Sequence, residues 1–170
     1  MSTVTISIPR RLYEEARRRG VDIESRVVEL LARELGLDPV TEAGLHLELA
    51  ERYMGEARRL LGEGDVVQAS EKLYKVAEEC IKALAEALGL EEAEEARRRG
   101  RWTLGLLDRA AGRLAELVDR RVYDDWNHAY FLHVEGFHEA RLSAEQVEKR
   151  MRFVEELLEI ARSVVEKRRQ

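Results

Sequence analysis

From Thr41 to the end of the chain, apolar residues recur at helical spacing, and glycines or capping residues cut the pattern into segments. In 41–62, Leu45, Leu49, Tyr53, Ala57, Leu60 and Leu61 form one stripe. Gly62 and Gly64 break it. Asp65 opens the next helix, with Gln68 three positions later in a capping-box pattern. That helix places Val66, Leu73, Ala77, Cys80, Ile81, Leu84 and Leu88 on its apolar side and stops at Gly89. EEAEEARRRG is a charged stretch, read as a short helix or exposed bend. A helix over 103–118 follows, carrying Leu106, Leu107, Leu114 and Leu117, and another starts near Val122. Ser143 with Gln146 forms a second capping box ahead of a last helix with Val147, Met151, Val154, Leu158, Ala161 and Val165. Short connections between consecutive helices favour antiparallel neighbours, hence an up-down bundle.

The first 39 residues read differently. In TVTISI, residues 3–8, Thr3, Thr5 and Ser7 alternate with Val4, Ile6 and Ile8, the pattern of a strand with one polar and one apolar face. Pro9 suits the first turn of a helix. RRLYEEARRRG is a short helix stopped by Gly20. Asp22 caps a second helix bearing Ile23, Val27, Leu30, Leu31 and Leu35, ended by Gly36 and Pro39. A lone strand needs a partner for its backbone, and no other segment offers one. The expected partner is the same strand of a second copy, giving a homodimer.

Two resemblances follow from these segments. TVTISIPRRLYEEARRRGVDIESRVVELLARELG resembles a ribbon-helix-helix module, in which paired strands enter a DNA major groove. The resemblance implies base readers at Thr3, Thr5 and Ser7, flanked by Arg10 and Arg11. Hydroxyls are weak readers. Asp22 and Glu24 sit where the second helix would hold a phosphate, and seven arginines are balanced by seven acids over residues 1–39. A ribbon kept for dimerisation is therefore set ahead of DNA binding. ELAERYMGEARRLLGEGDVVQASEKLYKVAEECIKALAEAL resembles the first helical hairpin of HEPN-type bundles. Within that superfamily, GLDPVTEAGLHLELAERYMGEA, GDVVQASEKLYKVAEE and LHVEGFHEARLS resemble the archaeal PaREP repeat-gene family. The expected fold is thus all-α: an up-down HEPN-like bundle over 40–170, preceded by a ribbon-helix-helix-like arm over 1–39 with one short strand and two short helices.

Chemistry, if any, concentrates in HAYFLHVEGFHEARLS, residues 128–143, which holds three of the four histidines. Active HEPN ribonucleases resemble one another in an Arg followed, four to six residues on, by His. Arg121 and His128 have that spacing, and the resemblance implies a metal-independent ribonuclease in which His moves a proton and Arg holds phosphate. Such spacing arises easily by chance in an arginine-rich chain. Trp126, His133, Glu135, His138 and Glu139 could line a pocket at a half-polar, aromatic-rich junction. His128, His133 and His138 are each five apart, so successive rings rotate by about 140° on a continuous α-helix and share no face. A metal held by His133 with Glu135, or by His138 with Glu139, needs a break that Gly136 could supply, and with ligand number and geometry unsupported no metal is expected. The blander reading packs Trp126, Tyr130, Phe131, Leu132 and Phe137 into the core, with the histidines bonding to neighbours at a helix junction.

No Walker loop or dinucleotide fingerprint is present, and no cofactor is expected. The net charge of −5, with signs mixed along the chain, argues against a strongly basic nucleic-acid binder. No stretch approaches a transmembrane helix, and MSTVTISIPRR has no signal-peptide core. Cys80 is the only cysteine, which fits a reduced cytoplasm. Arg greatly outnumbers Lys and Asn127 is the only asparagine, a bias that fits a heat-adapted protein, with genome composition as the other source of Arg enrichment. The leading expectation is a non-catalytic interaction module associated with nucleic acid, a partner protein or a toxin-antitoxin type of system. The ribonuclease and a ribbon-helix-helix DNA-binding regulator are the alternatives.

Overall fold

The structure is a computed structural model and describes residues 2–170. It divides into two compact units, one ending at Asp38 and one spanning Pro39–Gln170.

The first unit holds α1 (Arg10–Arg18) and α2 (Ile23–Glu34). Gly20, at φ +68°, closes α1, with the Val21 N–H donating back to the Ala16 carbonyl. The Asp22 carboxylate then accepts from the Ser25 N–H at 3.4 Å and starts α2. The expected strand is absent: residues 3–8 form none, and no strand occurs among the described residues. Alternation decides which face a strand would bury, but a ladder also needs a second strand to receive its N–H and C=O groups, and the described residues supply none. Val4 and Ile6 accordingly stand 92% and 64% exposed. The fold is therefore all-helical, without the strand expected at its start.

The second unit contains α3 (Pro39–Gly62), α4 (Val66–Leu88), α5 (Glu91–Arg99), α6 (Leu104–Leu117), α7 (Arg121–Phe131), a π-helical segment (Leu132–His138) and α8 (Ala144–Arg169). The charged stretch after Gly89 is thus a helix, with acids in its first turn and arginines in its last, the order the helix dipole favours. At its core lies α4, buried almost all round from Ala69 to Ala87 and packed by α3, α6, α7, α8 and the π segment. Antiparallel pairing of α3 with α4 shows in the contacts: Lys72 meets Glu56 at 2.7 Å, and Glu79 meets His46 at 2.6 Å. Likewise α8 runs antiparallel to α3 in steps of seven residues. Arg58 pairs with Glu155, Glu51 with Arg162, and Gly44 lies against Arg169. Seven residues are close to two helical turns, so the seam stays on one face. The cap of α4 is the Asp65 carboxylate on the Gln68 N–H, and α8 opens with the complete Ser143–Gln146 box.

Some expected core residues lie outside the core. Leu117 is 63% exposed. Tyr130 and Phe131 are also exposed, whereas Trp126 and Leu132 are buried. Among the described residues no helix is long and apolar enough to cross a membrane.

Candidate functional site

The histidine-rich stretch does not continue as an α-helix. After Phe131 the backbone widens into the π segment, closed by the Glu139 N–H donating to the Val134 carbonyl at 2.9 Å. Local packing explains where it sits. Gly136 is buried against α4, and a Cβ there would stand 2.6 Å from the Ser70 Cβ. Ser70 itself is buried, its hydroxyl turned back to the Val66 carbonyl at 2.8 Å. Two small residues thus let the backbones approach. The segment ends on Ala140, whose φ of +51° is a strained conformation for a residue with a side chain. π turns and strained residues concentrate at functional sites.

The widening changes which residues are neighbours. With i→i+5 hydrogen bonds, residues five apart lie about one turn apart. His133 and His138 therefore share a face, contrary to the α-helical expectation. Their Nε2 atoms stand 3.1 Å apart and their rings meet edge to face. On the far side of His133, Nδ1 lies 2.7 Å from the Glu71 carboxylate of α4. Tyr74, one turn along α4, stacks on the His133 ring at 4.2 Å, and Tyr130 and Phe137 flank it. Burial, and then Glu78, push the Tyr74 hydroxyl far above its ordinary pKa, so it stays a neutral phenol. Trp126 packs beneath Tyr74 and donates its Nε1–H to Asp108 at 3.1 Å. His138 is exposed and His133 partly so. Glu135 and Glu139 pair with Arg141 at 3.6 and 2.8 Å.

Arg121 and His128 lie on α7, seven residues and about 10.5 Å of rise apart. The Arg121 guanidinium is held by Asp119 at 2.6 Å and by Glu156. It lines an open groove with Val118, Phe153, Ile160 and Val164. His128 stacks on Phe153 at 3.8 Å, and burial, followed by Arg150, holds its imidazole below the usual pKa. Between them Asp125 is buried, one carboxylate oxygen without a hydrogen bond. Burial, then Glu156, push its carboxyl up to about 7. Thr3, Thr5 and Ser7 lie in an exposed irregular segment, and Arg10 and Arg11 open α1, also exposed.

A third cluster went unread in the sequence. His46 of α3 is fully buried between Glu79, at 2.6 Å, and Glu42, at 3.9 Å. Lys82 joins Glu79 at 3.0 Å, and Arg97 of α5 spans Glu86 at 2.6 Å and Glu42 at 3.4 Å. Burial works to lower the His46 pKa, but the flanking carboxylates outweigh it and raise it to about 9. The same balance holds Glu42 low, burial being overcome by His46 and Arg97, while burial keeps Glu86 high. Arg97 thus ties three helices together.

The archaeal PaREP1/PaREP8 family model matches residues 45–158. The chain belongs to this family. The PaREP match takes in α4 to α7, the π segment with both its histidines, and Glu71. The arm before α3 lies outside it. A crystal structure of a Sulfolobus solfataricus protein is 38% identical to this PaREP chain, with a TM-score of 0.64, covering 68% of this chain and 95% of that one. A solution structure of the same structural-genomics target is 39% identical, with a TM-score of 0.63, covering 69% and 92%. No curated protein matches the chain.

Proposed function

We propose that this PaREP protein is a non-catalytic interaction module, an HEPN-like bundle that associates with a second copy of itself through the helical arm. The carrying observation is the arm's unfilled apolar surface. No residue of α1 is buried, and Leu12, Leu31 and Leu35 are 58%, 53% and 69% exposed. A unit of this size rarely buries enough surface to be stable alone, and oligomerisation is the usual remedy. The arm's charges cancel, so two copies meet without a net repulsion. Sedimentation analysis tests this directly. The wild type is expected to be a dimer, and Leu12→Glu with Leu31→Glu a monomer whose bundle melts unchanged. A wild type that stays monomeric at high concentration refutes the reading.

A metal-independent ribonuclease is a second reading with an observation of its own. Arg121, Asp125 and His128 fall on one face of α7, and Asp125 exchanges its proton near neutrality. RNA cleavage in EDTA, lost in His128→Ala and in Asp125→Asn, supports it. Absence of cleavage across varied RNAs rejects it.

A further inference from the structure

We infer that His133 and His138 form a two-imidazole site for a late first-row divalent metal ion, with Glu71 as the outer partner that orients it. The two Nε2 atoms converge at 3.1 Å. An ion about 2.05 Å from each, the usual length of a zinc–imidazole bond, subtends an N–M–N angle of about 98°. That lies between the square or octahedral right angle and the tetrahedral one. The π segment is what creates the convergence, since on an α-helix the two rings would diverge.

Glu71 supplies the second, independent feature. Metal-bound histidines commonly give their other ring N–H to a carboxylate, which fixes the tautomer and strengthens the ligand. The Glu71 carboxylate at 2.7 Å from Nδ1 holds the proton there and leaves the Nε2 lone pair of His133 facing His138. Tyr74 stacked on the ring prevents it from turning away. In the free protein the two Nε2 atoms share one hydrogen bond. Binding through both Nε2 atoms requires His138 to carry its ring proton on Nδ1. Among the described residues no group of three or more His, Cys, Asp or Glu forms a metal cluster. Water therefore fills the remaining positions, and the site is open to solvent on the His138 side. Imidazole donors favour Zn²⁺, Ni²⁺ and Cu²⁺ over Mg²⁺ and Ca²⁺.

The test uses untagged full-length protein and Zn²⁺ or Ni²⁺ alone, with equilibrium dialysis and nitrogen-detected NMR of the imidazoles. The expected result is one ion per chain, with Nε2 of both His133 and His138 shifted and His128 unmoved. His138→Ala, at an exposed position that leaves folding intact, removes binding. Glu71→Gln weakens it roughly 10- to 100-fold, the usual effect of losing such an outer partner. His128→Ala leaves it unchanged. The inference is overturned if His138→Ala retains the wild-type ion, or if Zn²⁺ and Ni²⁺ leave both imidazoles unshifted. Neither outcome depends on the arm or on dimerisation, so this result and that of the association test stand apart.

Discussion

The buried His46 cluster makes stability fall with rising pH, and the structure sets the window. Flanked by Glu79 and Glu42, His46 keeps its proton in the folded chain up to about pH 9, against 6.5 for an ordinary imidazole. A raised folded pKa gives stability that is fully present below 6.5 and is lost as pH climbs through 9, because over that span only the folded chain still holds the proton. The rise from 6.5 to about 9 corresponds to a loss of roughly 3 kcal/mol between pH 6 and pH 9.5. The buried thiol of Cys80, pushed well above its usual range by burial, stays protonated in the fold while the unfolded chain ionises there, so it adds a smaller loss of its own at the alkaline end that His46→Gln retains. The measurement is urea unfolding at pH 6, 7.5 and 9.5 for wild type and His46→Gln. The wild type should lose stability across the series. His46→Gln should start lower, because Glu79 loses the imidazolium beside it, and should fall less. A wild-type midpoint that is flat from pH 6 to 9.5, or a His46→Gln series of equal slope, refutes the reasoning.

Three further outcomes follow from the same geometry. Gly136→Ala places a methyl group 2.6 Å from the Ser70 Cβ and should cost about 1–3 kcal/mol by overpacking, with partial recovery when Ser70→Gly is added; additive melting shifts in the double variant would contradict it. Asp125, pushed up to about 7 by burial and Glu156, resists ionising in the fold, so stability is lost as pH rises from about 3.8 to 7. Asp125→Asn should abolish that loss and melt higher than wild type at pH 8 in thermal unfolding. Ser143→Ala removes the acceptor for the Gln146 N–H and should destabilise by about 1 kcal/mol in urea unfolding.

Much of the bundle was legible because its boundaries are local chemistry. Gly20, Gly36, Gly64, Gly89 and Gly100 all take positive φ, and each closes a helix or its turn where a side chain would be strained. Asp22, Asp65 and Ser143 cap the helices that follow them. Cys80 falls on the α4 stripe and is buried. The arm was read less well for a physical reason. Alternation over residues 3–8 carries no information on whether a second strand exists, and without one the segment remains irregular. Nor does periodicity say whether an apolar stripe is covered: Leu30, Leu31 and Leu35 recur along the second helix and are exposed.

The site was legible in composition but not in geometry. His128, His133 and His138 invite attention together, yet an α-helical wheel separates all three. One local change of hydrogen bonding unites the last two and leaves His128 apart, stacked on Phe153. The change is anchored by Gly136 against Ser70, a contact 66 residues apart in sequence that no window of neighbours reveals. Glu71 escapes for the same reason: His133 comes to it from the far end of another helix. The buried ion cluster was missed because a charged residue within a charged chain carries no mark of its burial. Glu79, beside Cys80 on the buried face of α4, was the one available pointer, since a carboxylate inside an apolar stripe must find a cation, and His46 and Lys82 both meet it.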